Sequence, residues 1–148
     1  MKRLPCITTI WLILCLTCFA QTEVRGQDGG HIKVQAILVA ASNDGGGVDG
    51  SLNRYAGTLK RLFRFDTYRK AGQGSTSIDL PGSGKIKLGK GQSLSIDAKP
   101  DKKGASLDLR WSEGIHARMK LKPGKPGVLG GPKIKGGDGN YLLLVILE

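Results

Sequence analysis

Tyr141-Leu142-Leu143-Leu144-Val145-Ile146-Leu147 places an apolar side chain at seven successive positions. Side chains of a strand alternate between two faces, so this segment, as a strand, must be covered on both. Its length suits a strand better than a helix, and it keeps no polar face for solvent. One other stretch makes the same demand. In Ile32 to Ala41, Lys33 and Gln35 alternate with Val34 and Ala36, and then Ile37-Leu38-Val39-Ala40-Ala41 runs without a polar residue. The economical solution pairs these two strands in the interior of one sheet, with a layer on either side.

The sequence between them supplies both layers. Ser42-Asn43-Asp44-Gly45-Gly46-Gly47 ends the first strand. Leu52, Tyr55, Ala56, Leu59, Leu62 and Phe63 then recur at three- and four-residue spacing, which predicts one amphipathic helix over about 51–64. Asp49 or Ser51 can supply its N-cap oxygen, and Phe65 to Lys70 reads as extended. From Gly72 the period changes to two. Thr76, Ile78 and Leu80, then Ile86 and Leu88, then Leu94, Ile96 and Ala98 alternate with polar residues. Leu107, Leu109 and Trp111 follow, and then Ile115, Ala117, Met119 and Leu121. Gly/Pro turns separate these runs, as in an antiparallel meander with one dry face. Pro123 to Gly139 is Gly/Pro-rich, with Val128-Leu129 and Lys133-Ile134-Lys135 as short extended pieces. The expected fold is α+β and mostly β: an N-terminal strand, one helix, then a meander or sandwich with the apolar C-terminal strand in the sheet centre.

All three cysteines, Cys6, Cys15 and Cys18, lie near the N-terminus. There Met1-Lys2-Arg3, an apolar run from Leu4 to Phe19, and Ala20 before Gln21 have the pattern of a secretory signal peptide. The expected organisation is a signal peptide at 1–20, a flexible leader at 21–30 and a single domain at 31–148. The run is shorter than a transmembrane span and is interrupted by Thr8, Thr9 and Thr17. A lipoprotein acylated at Cys18 is the alternative, although Cys15-Leu16-Thr17 lacks the usual residues before such a cysteine. Cleavage leaves no thiol, which excludes disulfides, thiolate catalysis and Cys-ligated metal. The remaining chain carries 21 basic and 12 acidic residues, a net charge of +9.

No residue is assigned to catalysis, a cofactor or a metal. Gly82-Ser83-Gly84-Lys85 lacks the flanking residues of a phosphate loop and reads as a hairpin turn. Asp44 and Asp49 lack the alternating acids of a calcium loop. His31 and His116 are too few for a metal site, and no Gly-x-Ser-x-Gly elbow announces a hydrolase nucleophile. The feature above background is basic charge. Arg54, Lys60, Arg61, Arg64, Arg69 and Lys70 stand against one acid, Asp66. A second group, Arg110, Arg118, Lys120 and Lys122, shares a face with Asp108. The first group is the candidate binding site for an anionic partner. Scarce aromatics and export speak against nucleic acid.

Leu59-Lys60-Arg61-Leu62-Phe63-Arg64-Phe65-Asp66-Thr67-Tyr68-Arg69 after an Ile/Val-rich strand, with Gly130-Gly131-Pro132 before the final apolar strand, resembles small exported Gram-negative bacterial proteins of no assigned function. The resemblance covers most of Ile32 to Glu148 and implies the strand-helix-meander layout. It carries no catalytic or ligand residue. The expected function is an exported, periplasmic or secreted interaction module without enzymatic activity, its partner an unknown protein or an anionic envelope component. The mature chain should have no integral membrane span. The alternative is a hydrolase with a dispersed active site, and a concave pocket gathering titratable side chains would favour it.

The small Ala20 behind the apolar run leads us to expect a mature chain that starts at Gln21. N-terminal sequencing of the exported protein checks this, and a lipid-bearing start at Cys18 would replace the soluble reading with a tethered one.

Overall fold

A computed structural model describes residues 30–148. The signal peptide expected at 1–20 and all but the last residue of the leader expected at 21–30 lie outside the described residues. Eight strands form two antiparallel sheets. β1 (His31–Ser42), β2 (Thr67–Asp79), β7 (Gly127–Lys133) and β8 (Asn140–Leu147) make the first, in the order β2-β1-β8-β7. β3 (Gly82–Gly89), β4 (Gln92–Asp101), β5 (Gly104–Trp111) and β6 (His116–Leu121) make the second, in sequence order.

The two strands that are apolar on both faces are neighbours at the centre of the first sheet. They pair antiparallel, from Val34 opposite Leu147 to Ala41 opposite Asn140. The register sorts their side chains cleanly. Val34, Ala36 and Leu38 with Leu143, Val145 and Leu147 face the second sheet and join Ile86, Leu94, Ile96, Leu107, Leu109 and Trp111 in the larger core. Ile37, Val39 and Ala41 with Leu142, Leu144 and Ile146 face the other way, onto Leu52, Leu59 and Tyr68. The domain is therefore three layers deep: second sheet, first sheet, helical cover. Each large side chain removed from water in this way contributes about 1.5–3 kcal/mol relative to exposure.

The helical cover is shorter than its periodicity suggests. A 3-10 turn spans Gly50–Tyr55, and the α-helix α1 spans only Ala56–Leu62. Asp49 is the N-cap, accepting a hydrogen bond from the Ser51 amide at 3.0 Å. Phe63 leaves the helix with extended angles, φ −132° and ψ 147°. Its ring lies near Gly130, and the Tyr68 hydroxyl donates to its carbonyl at 3.0 Å. Phe63 is thus held by the sheet rather than by another helical turn. Truncation leaves Leu62, expected on the buried stripe, 55% exposed.

Two further expectations are corrected. Thr76 and Ile78 belong to the first sheet and not to the meander, because β2 runs unbroken from Thr67 to Asp79 along β1. A bulge at Ala71, between the pairs Leu38–Gly72 and Val39–Lys70, keeps the strand in register. Gly82-Ser83-Gly84 is no hairpin turn either. These residues pair with Ala98, Asp97 and Ile96 of β4, and the connection is Leu80-Pro81, which carries the chain from one sheet to the other.

Glycine closes the sides of the sandwich. A Cβ on Gly72 would strike the Leu88 carbonyl, and one on Gly74 would lie 2.6 Å from the Lys87 carbonyl oxygen. The backbones of β2 and β3 approach closely only because those side chains are absent. On the opposite side, Gly131 admits the ring of Trp111, and Gly127 admits Leu121 and Met119.

Leu144→Asp should unfold the domain, since it buries a carboxylate without a partner between sheet and helical cover. Lys122→Asp, on an exposed loop position, should leave the fold intact. Circular dichroism distinguishes the two variants. Slow amide exchange from Leu142 to Ile146 is the matching observation in the wild type, and rapid exchange there would contradict the central pairing.

Candidate functional site

The six candidate basic residues do not form one patch. Arg54 ends the 3-10 turn, Lys60 and Arg61 lie in the last turn of α1, and Arg64 follows it. All four are exposed on the helical cover, and no ion pair among the described residues includes them. Leu59, between them in sequence, is fully buried against the sheet and fixes the helix orientation.

Arg69 and Lys70 belong to β2, where neighbouring side chains diverge to opposite faces. Arg69 turns to the loop after β1 and meets Asp44 at 3.6 Å. That loop is organised around Thr67, the one buried polar residue of the described chain. Its hydroxyl accepts from the Gly46 amide at 2.8 Å and lies 2.7 Å from Asp44 Oδ1 and 2.8 Å from Asp66 Oδ1. The Thr67 hydroxyl is the main reason that the Asp44 carboxyl is held below its usual value. Lys70 projects toward the helical side and reaches Gln73 at 3.1 Å. Its amide donates to Asp49 Oδ2 at 3.3 Å, linking the helix cap to β2. Hydrogen bonds from Ser51 lower the Asp49 pKa.

In the second basic group Arg110, Arg118 and Lys120 are met by acids that strand register brings alongside, and Lys122 is not. Arg110 meets Asp97 at 3.7 Å, Arg118 meets Asp108 at 3.2 Å, and Lys120 meets Asp101 at 3.4 Å. Sequence reading placed Asp108 on this face but missed Asp97 and Asp101, whose nearness to Arg110 and Lys120 depends on the register among β4, β5 and β6. His116 stands on the same strand as Arg118 and Lys120. In the structure its Nε2 hydrogen-bonds to Asp108 Oδ1, and this contact is the largest cause of the lowered Asp108 pKa.

A hollow of about 640 Å³ opens over this polar face, reaching Ser83, Asp97, Lys99, Ser106, Asp108 and Arg118. Its floor crosses all four strands through the register row Ser83, Asp97, Asp108, Arg118. Chemically it is an ion-pair lattice. Asp108 is an acceptor already engaged by His116 and Arg118, and no serine hydroxyl is bonded to His116 among the described hydrogen bonds. Among the described residues no three His, Cys, Asp or Glu side chains gather as metal ligands, and no helix is long and apolar enough to cross a membrane.

Comparison of the chain with models of known families, with curated proteins and with solved structures finds no match. Functional inference therefore rests on the surface chemistry itself.

Asp44, Asp49 and Asp108 all have lowered folded-state pKa values. A depressed carboxylate contributes stability above its unfolded value, 3.8 for each, and loses it as pH falls through the folded value. Asp108→Asn should therefore flatten the acid limb of stability below about pH 4. Thermal denaturation across that range checks this, with an acid limb as steep as wild type counting against it.

Proposed function

We propose that the protein is an exported, non-enzymatic interaction module that uses its helical cover to bind an anionic partner. The observation that carries this reading is the group of four exposed cations on the cover. Arg54, Lys60, Arg61 and Arg64 have no acidic partner among the described residues, whereas Arg110, Arg118 and Lys120 on the second sheet are each paired with an acid. Unmatched exposed cations concentrate positive potential and attract anions. The cover lies opposite a buried apolar stripe, so its charges are available without any change in fold.

Arg69 is a weaker contributor, being committed to Asp44. Lys70 stands beside the Asp49 cap. The working surface is thus narrower than the six residues read from the sequence. Exposed Leu62 lies within it and offers an apolar contact beside the charges.

The alternative of a hydrolase draws on one observation, the hollow over the second sheet with His116 at its margin. The pairing of its acids with bases makes it a weaker candidate than the cover. Export follows from the N-terminal sequence pattern and belongs to the same proposal.

Attraction between exposed charges decays over about 8 Å at physiological salt, so binding to heparin or to anionic vesicles should weaken as salt rises. Arg61→Glu/Arg64→Glu should abolish retention at low salt. Equal retention of wild type and the double variant, or none for either, would remove the cover as a binding surface.

A further inference from the structure

A second cationic centre lies away from the helical cover, where the turn after β3, the loop after β5 and the segment between β7 and β8 meet. A hollow of about 300 Å³ opens there, lined by Lys90, Lys133 and Lys135. Lys90 comes from one turn and Lys133 and Lys135 from the end of β7 and the segment after it; all are exposed, and no ion pair among the described residues includes any of them. One acid, Glu113, shares the wall. Its carboxylate accepts a hydrogen bond from Gln92 Nε2 at 2.7 Å, and Gln92 in turn accepts from Trp111 Nε1 at 2.8 Å. This chain starts at a tryptophan only 2% exposed, so one wall is anchored in the core while the lysines surround the opening.

Lys90 is also in an unfavourable place for a lysine. It has φ +54°, the only positive φ outside glycine in the described chain, and Gly91 beside it has φ +73°. Two consecutive residues with positive φ are what a mirror-image hairpin turn requires, and Asn-Gly suits that turn best. Lysine lacks the short polar side chain that eases the left-handed conformation. The turn therefore carries a residue that its backbone disfavours, and that residue brings a cation to the hollow.

We infer that this hollow binds a sulfate or phosphate group, supplied either as the free ion or as an ester on a larger molecule. Lysines act on such groups as movable point charges, and three of them around one opening exceed the single carboxylate of Glu113. The site is independent of the helical cover, and Arg61→Glu/Arg64→Glu should leave it unchanged.

The test is an NMR titration of the exported protein with inorganic sulfate, inorganic phosphate and heparin, each against chloride at equal ionic strength. The amide resonances of Gly91, Gln92 and Glu113 report the site. They should move with at least one of these probes and stay put with chloride. Lys90→Asn creates the preferred turn dipeptide, so it should melt no lower than wild type while weakening the response about threefold to fivefold, the factor expected for one exposed charge. Lys133→Ser/Lys135→Ser should weaken it further. A Lys90-dependent response to the free ions identifies a small oxyanion, and one confined to heparin identifies an ester on a polymer. Either supports the site. Resonances that move no more than in chloride, or that move equally in Lys90→Asn, would overturn it.

Discussion

Pairing of β1 with β8 is the contact on which the other layers depend. Both strands are apolar on both faces, so neither is stable in water on either side. Each supplies one row to the sheet-to-sheet core and one row to the core beneath the helical cover. Without β8, the apolar rows of β1 lose their lateral neighbours. Without the cover, Ile37, Val39, Leu142 and Leu144 would form an exposed apolar strip of the kind that drives association. The cover is held to that strip by Leu52 and Leu59 and fastened at its end by Tyr68. It is structural before it is a display surface for charge.

The architecture was legible because its signals are periodic. Double-sided burial of Tyr141–Leu147 and of Ile37–Ala41 implied a central pair with a layer on each side, and period-two alternation from Ile86 to Leu121 implied the second sheet. Less legible were features decided by contacts distant in sequence. Nothing in the stripe from Leu52 to Phe63 says that the helix stops at Leu62, because it stops where Phe63 is drawn into the sheet. Nor does local pattern say that β2 stays with β1 past Gly72, since that depends on a bulge and on glycines that let β3 pass close by. The charged surface shows the same division. That Arg54, Lys60, Arg61 and Arg64 are exposed follows from helical phase. That Arg110, Arg118 and Lys120 are paired follows from register, which alternation alone does not give. The hollow beside Lys90 draws on turns far apart in sequence, and its sole local trace is a lysine before Gly91 in a two-residue turn.

Charge on this protein is thus arranged in two different ways. Across the second sheet Arg110, Arg118 and Lys120 meet acids of neighbouring strands, while Lys85, Lys87 and Lys99 have no ion pair among the described residues. On the helical cover Arg54, Lys60, Arg61 and Arg64 are of one sign, and around the Lys90 hollow three lysines stand against the single carboxylate of Glu113. Net positive charge by itself speaks to solubility, whereas cations gathered without acids concentrate positive potential on particular surfaces.

The central pair also sets a condition on when the chain can fold. Val34 meets Leu147, so the middle of the first sheet cannot close until every other strand has been synthesised. Contacts so distant in sequence slow folding, because loop entropy is lost before the contact repays it. If the chain is exported as proposed, that delay has a use. A first strand that must wait for its eighth lets the chain commit to its native topology only when synthesis is nearly complete.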